Sequence, residues 1–253
     1  MDLRLRGRKV IVTGGTKGIG RAIAEAFAGE GADVAVCARN AADVARTVQA
    51  LKERGVDALG AALDVADATA LGEWVGNVGA HWGALDIVVA NVSALAIANE
   101  PQSWRREFDT DMMGTVHLVD AAMPFLEAST AASIVAISSV SGREIDFAAG
   151  PYGVFKAALV HYTQGLAHQL AGKGIRANAV SPGNVYFEAG VWEHIRDNDP
   201  QLYARALALN PTGRMGRPEE IARAVVFVAS PAASFISGAN IVVDGALTRG
   251  VQL

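Results

Sequence analysis

Lys9-Val10-Ile11-Val12-Thr13 runs directly into Gly14-Gly15-Thr16-Lys17-Gly18-Ile19-Gly20, and an alanine-rich stretch carries on to Gly29. The β-branched run Lys9–Thr13 predicts a strand and Gly18–Gly29 predicts a helix, so the glycines form the turn between them. Glycine lets a backbone turn tightly and come close to a ligand. The unpaired N–H groups and positive dipole end of a helix starting here favour a phosphate. A glycine turn also serves merely to join strand to helix. The strand–turn–helix context is what a nucleotide-binding reading requires.

Outward from that turn the alternation continues along the chain. Strands are predicted at Asp33–Ala38, Ala58–Leu63, Leu85–Ala90, Ser133–Ser138, Arg176–Val180 and Ala239–Val243. Helices are predicted at Ala41–Arg54, Ala68–Ala80, Gln102–Leu126, Tyr152–Ala171 and Pro218–Ala229. Almost wholly apolar strands separated by helices mean a parallel sheet covered on both faces. Right-handed crossovers then give an α/β fold with a doubly wound, Rossmann-like parallel sheet. No linker or repeat divides it, so residues 1–253 read as a single dinucleotide-binding and catalytic domain. The one long interruption, residues 184–215, is a candidate substrate lid.

Composition narrows the function. The 253 residues are 51% hydrophobic and 19% charged, with a formal net charge of −4, which gives no basic field for a nucleic acid. No apolar run approaches the roughly 20 residues that cross a bilayer. The amino-terminal MDLRLRGRKV lacks the apolar stretch of a signal peptide. The single Cys37 has no internal disulfide partner, which fits a reducing compartment. A cytoplasmic protein without membrane or nucleic-acid partners is expected. The five histidines form no HExxH or similar ligand pattern, so no metal site is expected.

Several motifs act jointly: Gly-x-x-x-Gly-x-Gly at 14–20, Asp64 after the third strand, Ile137-Ser138-Ser139, Tyr152-x-x-x-Lys156 and Pro182-Gly183. Together they resemble the short-chain dehydrogenase/reductase family over essentially the whole chain. The resemblance implies NAD or NADP on the glycine turn (Gly14, Thr16, Lys17, Gly18, Ile19, Gly20), with Asp64 and Val65 at the adenine. It implies further cofactor contacts from Asn91, Tyr152, Lys156, Pro182, Gly183 and Val185. Cofactor choice has a physical handle as well. NAD-specific sites usually place a carboxylate after the second strand for the ribose hydroxyls. Here Ala38 stands there, followed by Arg39. A guanidinium grips a 2′-phosphate through two parallel hydrogen bonds, and Lys17 adds a second charge, so NADP(H) is the expected cofactor. The alternative is that Arg39 and Lys17 are solvated surface charges. For Asp64 a helix-capping role is equally open.

Tyr152 and Lys156, four apart on a predicted helix, share one face. A phenol with a pKa near 10 is a poor acid–base catalyst at neutral pH, and a neighbouring ammonium draws that pKa down. The resemblance implies Tyr152 as the proton donor in reduction, Lys156 as its electrostatic partner and ribose anchor, and Ser139 as the group that orients the carbonyl. Three departures stand out. Ser93 replaces a glycine, and no threonine follows Pro182-Gly183 within Asn184-Val185-Tyr186-Phe187. Asp111 stands where the family has a helix asparagine that holds a relay water. An ionised carboxylate accepts from water but cannot donate, so Asp111 either takes the same water or alters the titration of the Tyr–Lys pair. The 184–215 segment is either an apolar lid over a hydrophobic ketone or alcohol, or a helical pair packed on the body. Glu144 and Asp146 suit a neutral or cationic substrate.

These readings converge on an NADP(H)-dependent carbonyl reductase or alcohol dehydrogenase. A 3-oxoacyl-thioester reductase is one alternative, and an NADP(H)-binding regulator or sensor with little catalysis is another. By resemblance, the helices at 102–126 and 152–171 pair subunits into a homotetramer.

Overall fold

Seven strands form one sheet: β1 (Lys9–Thr13), β2 (Asp33–Ala38), β3 (Ala58–Ala62), β4 (Ile87–Ala90), β5 (Ser133–Ile137), β6 (Arg176–Pro182) and β7 (Asn240–Val243). Their spatial order is β3-β2-β1-β4-β5-β6-β7, and every neighbouring pair is parallel. The structure is a computed structural model and describes residues 1–250; the last three residues of the expected domain lie outside the described residues. The helices are α1 (Gly18–Gly29), α2 (Ala41–Lys52), α3 (Ala68–Trp82), α4 (Pro101–Glu107), α5 (Gly114–Ala128), α6 (Pro151–Leu170), α7 (Val191–Asn198), α8 (Pro200–Ala208) and α9 (Pro218–Ala229). The α/β, doubly wound reading of the sequence is what the structure has.

Strand alternation explains the two cores. Val10, Val12, Val34 and Val36 face one side and pack on Ile23 and Phe27 of α1 and Val225 of α9. Ile11, Ala35, Val88 and Ile134 face the other side and meet Leu71 and Val75 of α3 and Leu118 of α5. Such two-sided burial requires apolar residues at consecutive strand positions. The chain winds outward from β1 to β3, then returns past β1 to lay down β4, so strand order reverses between β1 and β4. A doubly wound sheet opens a crevice at the carboxyl ends of the strands where that reversal occurs. Asn91 closes its floor: its backbone N–H donates to Thr13 Oγ1 at 3.1 Å, and its side chain donates to the carbonyls of Thr13 at 3.1 Å and Gly14 at 3.3 Å.

One expectation changes. The single helix expected at Gln102–Leu126 is three segments, because a π-helical stretch at Phe108–Met113 separates α4 from α5. The Gly114 N–H reaches back five residues to the Asp109 carbonyl, so one residue is inserted into the helical turn, a device common at functional sites. The segment after Pro182 is a helical pair with a small core of its own, Trp192, Ala206 and Met215. A backbone bridge between Val185 and Gly216 closes its base.

The glycine turn depends on close backbone packing. A Cβ on Gly20 would lie 2.2 Å from the Gly14 oxygen and 2.4 Å from Asn91 Nδ2, whereas Gly29 has nothing within 4 Å. Gly20→Ala is expected to lower stability by about 1–3 kcal/mol through overpacking. Gly29→Ala, on the same helix, is expected to leave stability level or slightly higher. Paired thermal denaturation curves check this, and equal midpoints would refute it.

Candidate active site

The turn after β1 folds back on β2, with the N–H groups of Gly14 and Gly15 donating to the Cys37 carbonyl at 2.8 and 3.3 Å. Gly14 and Gly18 take φ of +64° and +50°, conformations that favour glycine. The start of α1 has no side-chain cap and no acidic residue in its first turn, so its N–H groups point outward with nothing repelling an anion. Thr16 is buried and Ile19 half-buried on the walls. These residues therefore fit a dinucleotide's phosphates.

The cationic end differs from expectation. Lys17 is not a free charge: its Nζ lies 3.0 Å from Asp43, on the first turn of α2, and Arg46 also pairs with Asp43. Arg39 is exposed just beyond β2 and has no ionic partner among the described residues. Lys17 and Arg46 together leave a net positive charge around that one carboxylate. Asp64 is exposed and accepts from the Ala66 N–H at 3.0 Å; the cap of α3 is Asp67, which accepts from Ala70 at 3.0 Å. Val65 is buried against Gly114 of α5, so its side chain belongs to the core.

A cavity of about 240 Å³ continues from the turn, lined by Lys17, Ile19, Gly20, Asn91, Ser139, Tyr152, Lys156, Pro182, Gly183 and Val185. Thr16, Lys17 and Gly18 line an adjoining cleft, and Arg39, Asp64 and Val65 line neither. Phe187 replaces the expected threonine contact with an aromatic one. Its ring lies on Gly18, where a Cβ would come within 2.6 Å of it.

Ser139 follows β5, Tyr152 opens α6, and Lys156 sits one turn further on. The Lys156 ammonium donates to the Ile137 carbonyl at 3.0 Å and lies 5.5 Å from the centre of the Tyr152 ring. It also lies 2.9 Å from Asp111 Oδ2, with the two side chains 2% and 0% exposed. Asp111 thus reaches the ammonium directly, while its Oδ1 accepts from the Ala94 N–H at 2.7 Å. Burial works against the Lys156 charge, but Asp111 and the Tyr152 oxygen more than offset it and hold its pKa above the ordinary lysine value. The expected fall in the Tyr152 pKa does not occur. Burial raises it; Lys156 and the nearby Ser139 hydroxyl oppose that rise, and Asp111 and Glu107 reinforce it. The net shift is upward because burial outweighs the lysine's pull, with the two carboxylates adding to the rise.

Glu107, the last residue of α4, was not among the sequence candidates. It is fully buried, its Oε1 accepts from the Ala96 N–H at 2.5 Å, and its pKa is pushed up to about 7 by burial and by Asp111. Its spacing from Asp111, one helical turn, is the signal that would have found it.

The substrate side is half apolar. A smaller cavity beside Tyr152 is walled by Leu95, Val140, Phe147 and Trp192, with Ser139, Ser141, Asp146 and Asn184 as its polar groups. Ser139 donates to Ser141 at 3.3 Å, and Ser141 donates to Asp146 Oδ2 at 2.6 Å. Glu144, paired with Asp146 in the sequence reading, turns instead to the N–H groups of Arg249 and Gly250 at 2.9 and 2.7 Å. Leu95 adopts φ +49° at the rim, a strained conformation for a non-glycine residue. The Ser93 hydroxyl accepts from its N–H at 3.2 Å.

A family model described as Enoyl-(Acyl carrier protein) reductase matches residues 14–248. An isoepoxydon dehydrogenase of Penicillium expansum is 40% identical over 253 residues, covering 98% of this chain and 97% of that one. L-Sorbose reductase from Gluconobacter frateurii, solved with NADPH and L-sorbose, is 29% identical with a TM-score of 0.90 over 99% of this chain and 100% of that one. An NADPH-bound short-chain oxidoreductase from Pseudomonas aeruginosa PAO1, described as containing an atypical catalytic center, is 29% identical with a TM-score of 0.89, covering 97% and 100%.

Asp111→Asn removes a negative charge from beside the Tyr–Lys pair, so the Tyr152 phenol should ionise at lower pH. Tyrosinate absorbance during alkaline titration, with Tyr152→Phe as the blank, measures this. An unchanged midpoint would show that Asp111 has no bearing on the phenol.

Proposed function

The chain belongs to the short-chain dehydrogenase/reductase family, and we propose on that premise that Ser139, Tyr152 and Lys156 reduce a hydroxylated ketone. The protein is an NADP(H)-dependent oxidoreductase acting on ketones and secondary alcohols. The observation that carries the residue assignment is the meeting of these three side chains on one cavity continuous with the glycine turn. The uncapped start of α1 would hold the phosphates, and Lys17, Arg39 and Arg46 a 2′-phosphate shared against Asp43. When bound, the nicotinamide supplies or accepts the hydride.

The remaining steps belong to the protein. Ser139 donates a hydrogen bond to the ketone oxygen, and Tyr152 gives that oxygen its phenolic proton. Lys156 stabilises the phenolate left behind. Because the Tyr152 pKa is raised, the phenol keeps its proton at neutral pH, the form reduction needs. Alcohol oxidation needs the phenolate and is therefore favoured in alkali. Ser141 and Asp146 would take a second hydroxyl of the substrate, with Leu95, Phe147 and Trp192 against its apolar face. The named relatives, an isoepoxydon dehydrogenase and an L-sorbose reductase, support a hydroxylated ketone. Residues 184–215 act as the lid.

A 3-oxoacyl-thioester reductase is less well supported. Of the lid's cations, Arg196 is paired with Asp197 and Glu193, and Arg214 with Glu220, which leaves Arg205 as the lid arginine without an ionic partner among the described residues for a phosphopantetheine arm. A non-catalytic sensor would have no use for the Ser139, Tyr152 and Lys156 arrangement. Exposed Phe108 and Val154, beside Phe155 and Trp104, form an apolar face on α4, the π segment and α6 that suits subunit pairing in a homotetramer. The buried free Cys37, its thiol pushed up to about 12 by burial, suits a cytoplasmic setting.

NADPH oxidation across hydroxylated and plain cyclic and open-chain ketones tests this reading. Tyr152→Phe should lose about 10²–10⁴ in kcat while still binding NADPH. Asp146→Ala should lose about tenfold in preference for the hydroxylated ketone over its deoxy analogue. Turnover surviving in Tyr152→Phe would refute the catalytic assignment, and an unchanged preference would refute the hydroxyl subsite.

A further inference from the structure

We propose that Glu107 and Asp111 hold one proton between them, Glu107 as the acid and Asp111 as the carboxylate, and that this pair sets the charge and position of Lys156. The role in catalysis rests on the proposed reductase reading; the shared proton does not.

Glu107 is 0% exposed, and its Oε2 has no hydrogen-bond partner. A buried carboxylate oxygen left unpaired costs free energy that native structures avoid. Glu107 and Asp111 lie within hydrogen-bonding reach of each other. Two carboxylate oxygens face to face repel, whereas one proton between them satisfies both.

A charge count over the surrounding elements gives the same answer. Asp111 from the π segment and Lys156 and Tyr152 from α6 face Glu107 in the interior, and Lys156 is the one buried cation among them. Arg105 and Arg106 of α4 and Asp109 of the π segment are exposed. From the loop before α4, Glu100 is exposed, and the contacts made are the backbone N–H groups of Ala94 and Ala96. On the substrate side Asp146 is held by Ser141 and Ala148. Two ionised carboxylates and one ammonium would leave an uncompensated negative charge in the core. With Glu107 protonated, the cluster is neutral.

The pair also holds a strained loop. Asp111 accepts from Ala94 and Glu107 from Ala96, which brackets Leu95 at φ +49°. Leu95 lines both cavities. Glu107 lines neither cavity, so it is a positioning residue: it acts through Asp111 on Lys156, and through Ala96 on Leu95. When Glu107 loses its proton to solvent, a second negative charge competes with the Tyr152 oxygen for the ammonium and loosens this arrangement.

The sign of the pH effect follows. Glu107 is held above the ordinary value of 4.5, at about 7, so the native state binds more protons than the unfolded chain between those values. Stability therefore falls as pH rises through that window. The first test needs no substrate. Infrared difference spectra of the ligand-free protein should show the carbonyl stretch of a protonated carboxylic acid below neutral pH. That band should fade as pH rises and be absent in Glu107→Gln, whose amide still donates one hydrogen bond to Asp111 but takes no second charge. The unfolding midpoint of wild type should fall over the same range, and that of Glu107→Gln should not.

If the reductase reading holds, wild-type kcat should decline through the midpoint of the band, and Glu107→Gln should lose that limb. Absence of the protonated-acid band, or its persistence in Glu107→Gln, would overturn the shared proton. A band without a matching kinetic limb would overturn the role in setting Lys156. Failure to find any ketone reduced would count against the reductase reading, while the infrared band would still decide for or against the shared proton.

Discussion

The ammonium of Lys156 is the constraint around which the site is arranged. A lysine that is 2% exposed keeps its charge only if the groups around it replace the water it has lost. Three do so from three elements: the Ile137 carbonyl at the end of β5, Asp111 in the π segment, and the Tyr152 ring one turn back on α6. That single charge therefore ties the sheet, the interrupted helix and the helix bearing the phenol into one object. Burial is the main reason the phenol titrates high, and the sharing of this charge adds to it. A cation that served Tyr152 alone would pull its proton off more easily; one divided with a carboxylate does so less.

The π segment is what makes that division geometrically available. Inserting one residue at Phe108–Met113 widens the turn and carries Asp111 inward towards α6. The Thr115 hydroxyl donates to the Asp111 carbonyl at 2.6 Å. The cost of interrupting a helix is offset by this bond and by the ion pair, which is why the interruption falls at the site and not elsewhere along α4 and α5. The strain at Leu95 is balanced in the same way, by bonds from neighbouring backbone to the two buried carboxylates.

The sheet could be read from the chain because parallel strands buried on both faces demand continuous apolar runs. Lys9–Thr13, Asp33–Ala38 and Ser133–Ile137 carry that signal in full, and the expected element ends fall within two residues of the observed ones. The glycine turn and the Ser139, Tyr152 and Lys156 grouping were legible because their residue types and spacing are tied to chemistry. What escaped is what depends on the third dimension. No local pattern marks where an α-helix gains a residue, so one helix was expected where there are three segments. Nothing in Lys17 or Arg46 says that both turn to Asp43, because long side chains choose partners by proximity in the fold. Glu107 escaped for a different reason. A glutamate on an amphipathic helix is ordinarily solvated, and only its placement under the 94–96 loop buries it.

The same logic bears on how such a site distinguishes substrates. Ser139 must give its proton outward to orient a carbonyl, yet in the structure it donates to Ser141, which in turn donates to Asp146. A ketone with one oxygen would break the first link and leave the rest of the chain as it is. A ketone with a neighbouring hydroxyl could donate that hydroxyl to Asp146 and accept from Ser141, so each link broken is replaced. Buried polar groups are costly when unpaired and nearly neutral when exchanged one for one. On the proposed reading, the polar side of the cavity would select by completing a hydrogen-bond chain, while Leu95, Phe147 and Trp192 would supply burial that varies little with the substrate's hydroxyls. Selectivity and proton supply thus meet on opposite sides of one phenol. On the proposed reading Asp146 would meet the substrate's second hydroxyl directly, and Asp111 would act on Tyr152 through Lys156.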